Sequence, residues 1–365
     1  MASGSGQALA RSRSAPIAGR GFFFGMKTVF VGLSGGVDSA VSAALLKEQG
    51  YNVIGAFIKI WRPEFIDCPW QKERLDAMRV CAALEIPFKE IDLSDEYKKT
   101  VIDDMVANYA GGITPNPDVL CNRHIKFGAF ARWVFSEGAD LVATGHYAQN
   151  IDSALHRGKD TNKDQSYFLW QLTGEDLKRV LFPVGGYTKP EVRVLAQKFN
   201  LPVATKKDSQ GLCFVGDVTM REFLAHYIKL ERGDVLDEKG VTVGEHDGAA
   251  LYTLGERHGF RIYAHSAHTM PYFVTSINTK ENTIAVSTDR TKAARRSATL
   301  IDTNWLSQPQ EEKKYTAQAR YRETSVACTI ANNMATFDEP HLAPPGQSLV
   351  VYDGEIMIGG GIIAA

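Results

Sequence analysis

No two of the five cysteines (Cys68, Cys81, Cys121, Cys213 and Cys328) stand as C-x-x-C. That absence removes the usual signature of zinc ribbons, iron–sulfur clusters and thioredoxin-like sites. An odd number at irregular spacing in a chain of 365 residues also argues against a secreted disulfide framework and fits a reducing compartment. No apolar run is long enough to span a bilayer, so no integral membrane protein is expected. An excess of one charge is missing too: 41 basic residues face 42 acidic ones, for a formal net charge of −1. Any nucleic-acid contact must then rest on local positive charge. Absent as well is the Walker-type phosphate loop with its lysine.

What remains is the composition of a globular protein, 44% hydrophobic and 23% charged. The length calls for about two or three domains. Residues 1–25 carry Arg11, Arg13 and Arg20, several serines and no acid. They read as a disordered extension, an expression scar or a transit-like segment ahead of Met26.

From Lys27 onward, short apolar runs alternate with amphipathic stretches. Strands are expected at 28–33, 52–58, 87–93 and 140–144, and helices at 38–49, 71–84, 94–109 (with Ser94 as N-cap) and 125–135. Such alternation predicts a Rossmann-like α/β domain with a parallel, doubly wound sheet, whose strand ends (Leu33, Ile58, Thr144) face one ligand crevice. Further helices are expected at 190–199 and 220–228. Beyond them glycines punctuate short segments, and 272–277 with 283–287 read as a hairpin. Short β segments at 298–301, 315–321, 325–330, 347–352 and 355–359 predict a small antiparallel barrel, with Asp353–Gly354 as a type I′ turn. The expected division is an ATP-binding domain over 26–220, a mixed central domain over 221–292 and a barrel over 293–365.

The most informative segment is Gly32-Leu33-Ser34-Gly35-Gly36-Val37-Asp38-Ser39, after a strand and opening a helix. Adjacent glycines admit an anion, and the first helical amides point at it. Ser34 and Ser39 add hydroxyls. Asp38 would repel a phosphate, so its expected role is to hold the accompanying Mg2+. This string resembles the pyrophosphatase loop of enzymes that cleave ATP between the α- and β-phosphates, which implies AMP and pyrophosphate as products.

Two cysteines stand in polar, cation-rich surroundings. Cys121 follows Asn116-Pro117-Asp118 where a loop gives way to a helix, beside Arg123, His124 and Lys126, a setting that favours thiolate. Cys213 lies in a glycine-containing loop after Lys206 and Lys207. Cys81, among Met78, Val80 and Leu84, reads as core. With an adenylating loop, the pair suggests that one thiol carries a transferable sulfur and the other completes a disulfide.

Taken together, these motifs resemble the tRNA-specific 2-thiouridylase family from Met26 nearly to the last residue. The resemblance runs through the Gly32–Ser39 loop, Asn116-Pro117-Asp118 with Cys121, Thr144-Gly145-His146, Lys163-Asp164-Gln165-Ser166-Tyr167, the Cys213 loop, Gly244-Glu245-His246 and Arg320-Tyr321. It implies a tRNA-uridine 2-sulfurtransferase that adenylates the wobble uridine with ATP and thiolates it from a cysteine persulfide. Gly32 to Ser39 would bind ATP phosphates, with Ile58 and Gly145 lining the nucleotide pocket. Asn116, Pro117 and Asp118 would hold the target base, Asp118 serving in proton transfer. Cys213 would carry the persulfide and Cys121 act as nucleophile. His146, Lys163, Asp164 and Gln165, with Arg320, Tyr321 and Gln347 from the barrel, would contact tRNA. The implied partners are tRNA and an upstream persulfide donor, a cysteine desulfurase or relay protein, serving a cytoplasmic monomer.

Independently of the resemblance, residues 290–322 hold eight Lys/Arg against three acids, an excess that suits a phosphate backbone. The segments 152–160 and 260–271 depart from the family pattern. A rival amide or amidine synthetase would have no use for the cysteine pair, an iron–sulfur thiolase lacks its C-x-x-C, and a non-catalytic tRNA binder would not need Asp38, Cys121 and Cys213 together.

Overall fold

In the computed structural model, residues 26–65, 70–207, 218–263 and 270–365 are described. The extension at 1–25, Cys68 and Cys213 with its loop lie outside the described residues. Strands β1 (Thr28–Gly32), β2 (Asn52–Lys59), β3 (Phe88–Asp92), β4 (Leu141–Ala143) and, after a hairpin of β5 (Ala148–Ile151) and β6 (Ala154–Arg157), β7 (Val180–Leu181) make up the first unit. Five of them form a parallel sheet in the order β3-β2-β1-β4-β7. Val29, Phe30 and Val31 on β1 are fully buried, because helices cover both faces of the central strand. Each such side chain stabilises the fold by about 1.5–3 kcal/mol.

The chain winds outward from β1 to β3, then returns to β4 on the other side of β1. The switch point of this sheet therefore lies between the ends of β1 and β4, where an α/β sheet opens a ligand crevice. The expected α/β fold is present, with differences at its margins. Ser94 is the first helical residue, not the cap: Leu93 precedes the helix, and the Ser94 amide donates to Asp92 instead. The helix around Cys121 starts earlier than expected, with Pro117 at its first turn, and residues 117–136 are helical throughout.

The central unit is a five-stranded sheet of β8 (Gly233–Leu236), β9 (Thr242–His246), β10 (Phe260–Ile262), β11 (Phe273–Asn278) and β12 (Thr283–Ser287). It includes the expected hairpin, β11 antiparallel to β12. The C-terminal strands are β13 (Arg295–Trp305), β14 (Tyr315–Gln318), β15 (Val326–Ala331), β16 (Met334–His341), β17 (Ser348–Asp353) and β18 (Ile356–Ile363). They close into an antiparallel barrel through the β13–β18 pairing. The barrel sheet continues into the first unit, since β18 also pairs with β6 at Ile356 and His156. Asp353 pairs with Ile356, so the turn residues are Gly354 and Glu355, and of these only Gly354 has positive φ. That is the signature of a type II′ turn, not the expected I′, which needs positive φ at both positions.

Candidate active site

The phosphate loop leaves β1 and enters helix Val37–Glu48, whose N-terminus has Gly36 as cap and receives no side-chain cap. Its first amides are thus available to an anion. Gly35 adopts φ +69°, and a Cβ there would lie 2.4 Å from the Glu73 carbonyl oxygen, so only glycine lets helix Trp70–Ala83 pack over the loop. Lys206 fastens the arrangement, donating to the Gly35 carbonyl at 3.0 Å and to Asp76 at 2.9 Å. Ser39 Oγ accepts from the Ser34 amide at 3.2 Å and lies within reach of the Gly36 carbonyl, so the hydroxyls expected for a ligand here shape the loop.

Opposite the loop, Gly145 ends the β4 edge. An added Cβ would sit 2.7 Å from the Ser39 amide nitrogen and 2.9 Å from the Asp38 carbonyl carbon. The missing side chain is therefore used by the approach of the chain itself. Ile58, at the end of β2, is half-buried among the sheet residues and the helices of residues 94–129. Asp38 is held by two groups: Tyr147 donates to it at 2.8 Å, and the Lys189 ammonium lies 2.7 and 2.9 Å from its two oxygens.

The Asn116-Pro117-Asp118 turn begins the next helix. Asn116 caps it by accepting from the Val119 amide at 3.3 Å, and Pro117 stands where its missing N–H costs nothing. Burial pushes the Asp118 carboxyl up, with the Lys126 charge partly opposing. Cys121, expected in polar surroundings where a loop gives way to a helix, sits instead against an apolar cluster. It lies a full turn into the helix, 8% exposed, packed with Tyr97, Ile102, Met105, Ile125 and Phe223. The helix takes π geometry from Cys121 to Ala129, a departure from regular α structure that frequently marks functional sites.

The residues expected to contact tRNA fall into two sets. Several turn inward. His146 is 7% exposed, and burial beside Lys126 lowers its pKa well below the ordinary value, so it is a neutral buried imidazole. Asp164 is consumed by the Arg157 guanidinium at 3.2 Å, the Gly158 and Ser166 amides at 2.9 and 3.0 Å, and the Ser166 hydroxyl at 3.1 Å. Gln165 accepts the Tyr147 amide at 3.0 Å and so braces the Gly145–Tyr147 turn. Gln347 reaches across from the barrel and donates to the Thr114 carbonyl at 2.7 Å, holding the chain just ahead of the Asn116-Pro117 turn. Arg320 donates to the Leu254 carbonyl, tying the barrel to the central unit. Tyr321 packs on Phe168 with ring centroids 4.5 Å apart, below Arg322, which lies 5.0 Å from the same ring. Lys163 remains half-exposed on its turn.

The basic segment is partly neutralised by acids from elsewhere in the fold. Lys292, Lys313 and Lys314 pair with Glu238, Asp353 and Asp338. Arg290, Arg295, Arg296 and Arg322 are exposed and make no ion pair among the described residues. The sequence does not point to Lys189 or Tyr147 as site residues, and it marks Lys126 and Lys206 only as cations near Cys121 and Cys213. The Thr188–Glu191 capping box announces a helix start at Lys189, yet nothing local points from there to Asp38.

A parallel α/β domain with an uncapped helix N-terminus at its switch point, joined to a β-barrel, defines a nucleotide-binding enzyme with an appended module. Three family models match in succession: "tRNA methyl transferase HUP domain" over residues 27–217, "tRNA methyl transferase PRC-barrel domain" over 221–288 and "Aminomethyltransferase beta-barrel domain" over 295–363. The tRNA-specific 2-thiouridylase MnmA of Nitrosomonas eutropha is 43% identical over 352 residues, 92% of this chain and 98% of that protein. Its counterpart in Francisella tularensis is 41% identical over 355 residues, 92% of this chain and 99% of that protein. The chain belongs to the tRNA-specific 2-thiouridylase family. Among solved structures, the U34-tRNA thiolase NcsA of Methanococcus maripaludis aligns with 55% of this chain and 64% of its own at 22% identity, with a TM-score of 0.33, too slight to carry an argument.

Proposed function

We propose that this enzyme uses ATP to adenylate the wobble uridine of tRNA and replaces its O2 with sulfur from a persulfide on Cys213. One observation carries the reading beyond family membership: the Asp118–Cys121 helix and the phosphate loop meet through His146 and Gly145 at one sheet edge. The residues present suit a nucleoside triphosphate. The open amides of helix Val37–Glu48 would receive phosphate oxygens, and Asp38 in its first turn would share a Mg2+ with them. Asn116 and Pro117 shape the turn that would receive the flipped base, and the poorly solvated Asp118 is suited to take the N3 proton.

In the first half, uridine O2 bonds to the α-phosphorus, the bond to the β-phosphate's bridging oxygen breaks, and pyrophosphate leaves with the electron pair. In the second, the terminal sulfur of the Cys213 persulfide bonds to C2, and the C2–O2 bond breaks with O2 departing on AMP. Cys121 thiolate then attacks the Cys213 sulfur, forming a disulfide and releasing the thiocarbonyl; alternatively it frees the sulfur as sulfide before attack. Either way two thiols are oxidised while the transferred sulfur is reduced, and an external thiol reductant resets the pair. The Arg290, Arg295, Arg296 and Arg322 face would take the tRNA backbone, and a cysteine desulfurase or relay protein would load Cys213.

The test supplies purified protein with tRNA, ATP, Mg2+ and labelled sulfur from a cysteine desulfurase, followed by nucleoside digestion and chromatography. Label in 2-thiouridine that requires ATP, Cys121 and Cys213 is the expected result. Label that stays on protein while AMP is formed would overturn the acceptor.

A further inference from the structure

Lys126 stands at the junction of the two halves of the site. It lies five residues after Cys121 within the π-bonded stretch Cys121–Ala129, where i→i+5 bonding places residues five apart one turn above another. Its Nζ is 3.4 Å from His146 Nε2, and His146 Nδ1 is 2.7 Å from Thr144 Oγ1. An ammonium only donates, so Nε2 accepts, and the proton of the neutral ring sits on Nδ1 and is given to the Thr144 hydroxyl oxygen. His146 is thereby fixed at both ends: by Thr144 from the end of the sheet and by packing between Phe127 and Phe182, each with its ring centroid 6.0 Å away. The adjacent Gly145 is wedged against Ser39 and Asp38 in the first turn of the phosphate helix. On its other side, the Lys126 charge is felt by Asp118. A half-buried cation is thus held between the carboxyl beside the target base and the loop that receives the phosphates.

We propose that Lys126 is a further catalytic residue, its ammonium contacting the α-phosphate during adenylation and the departing AMP during thiolation, with His146 as its positioning residue. The idea rests on the thiolation reading and deepens it. Lys126 neither gains nor loses a proton in either half. It meets charge on the phosphate oxygens while O2 bonds to the α-phosphorus, and again as the C2–O2 bond breaks and AMP takes the electron pair. Preorganised charge of this kind acts in a desolvated site at no reorganisation cost. The same arrangement gives the neutral, enclosed histidine beside the crevice a role as a rigid acceptor.

The experiment measures single-turnover AMP formation from α-labelled ATP with tRNA, alongside tRNA affinity by filter binding and thermal midpoint. Lys126→Met should slow AMP formation roughly 10²–10³-fold, the loss typical of one removed charge-stabilising donor. Its tRNA affinity should stay within about threefold, a split that marks a group acting in the transition state. Lys126→Arg keeps the charge and should recover part of the rate. His146→Gln retains an acceptor and should lower kcat less than about tenfold, whereas His146→Phe should approach Lys126→Met with KM for tRNA unchanged. Should Lys126→Met not fold, Lys126→Gln serves in its place. Wild-type rates of AMP formation in Lys126→Met, or a loss matched by equally weakened tRNA binding, would overturn the proposal. A wild-type enzyme that makes no AMP with tRNA overturns the thiolation reading itself, and an active wild type beside an unimpaired Lys126→Met overturns only the role of Lys126.

Discussion

Lys189 Nζ bridges both carboxylate oxygens of Asp38, at 2.7 and 2.9 Å, across 151 positions of sequence. The lysine side chain is 13% exposed and the aspartate 33%, so the pair is shielded more than a surface bridge and less than a core one. The phosphate loop has no lysine of its own, and this one arrives at the first residue of helix Lys189–Lys198, fixed by the Thr188 capping box. A magnesium–triphosphate complex would draw Asp38 to the metal and leave Lys189 facing phosphate oxygens.

Lys189→Met should therefore raise KM for ATP about tenfold or more while tRNA affinity is unchanged, the loss of one charge-assisted contact. Steady-state kinetics with ATP as the varied substrate checks this. An unchanged KM with a lowered thermal midpoint would make the pair purely structural.

Gln347 supplies a second long connection, its amide donating to Thr114 across 233 positions. Gln347→Ala should cost about 1 kcal/mol of stability and lower kcat severalfold with tRNA affinity kept, since what is lost is a brace on the turn proposed to receive the base. Gly346→Ala tests the same brace more harshly. At φ +84° its Cβ would meet Ile113 Cγ2 at 2.2 Å and the Thr114 oxygen at 2.9 Å, so the turn must shift. A tRNA affinity that weakens in Gln347→Ala, with a changed salt slope, would instead return this residue to the RNA interface.

These two contacts show what the sequence could and could not disclose. The phosphate loop was legible because strand, glycines and helix start are contiguous, and the β11–β12 hairpin because its residues alternate around a short turn. Strand β16 was not among the expected segments: Asp338, Glu339 and Pro340 carry no strand signal, yet Pro340 sits near the strand end where a missing donor is tolerated. The β5–β6 hairpin turns on Asp152 and Ser153, both at positive φ without a glycine, and β7 has only two residues. His146, Asp164 and Gln165 were expected to face tRNA, and the fold turns them inward. Which way a polar side chain turns depends on partners such as Arg157 and Thr144, and no local periodicity encodes them.

Asp118 couples function to stability with a definite sign. Burial raises its pKa above the unfolded value, only partly opposed by Lys126. Such a group contributes stability that is complete below the unfolded pKa and lost as pH rises through the folded one. At pH 7 Asp118→Asn should thus unfold at a higher midpoint than wild type while thiolation collapses. The acidic limb of the wild-type rate should lie above the ordinary carboxylate range, and Lys126→Met should move it further up. Urea denaturation and pH–rate profiles measure both. A destabilised Asp118→Asn would mean that the ionised carboxylate is better paired than its surroundings indicate.

The thiols divide by surroundings in a way that activity can test. Burial pushes Cys81 up to about 11 and Cys328 up to about 12, and both are essentially enclosed. Neither can serve as a thiolate near neutrality, so native protein at pH 8 should resist iodoacetamide at both positions until it is unfolded. Cys81→Ala and Cys328→Ala should keep thiolation within about twofold and lose on the order of 1 kcal/mol, as small buried hydrophobes do. Cys121→Ser should abolish product while leaving the fold intact. Persistent 2-thiouridine in Cys121→Ser would place Cys121 with the other two, as a packing residue of the cluster formed by Tyr97, Met105 and Phe223.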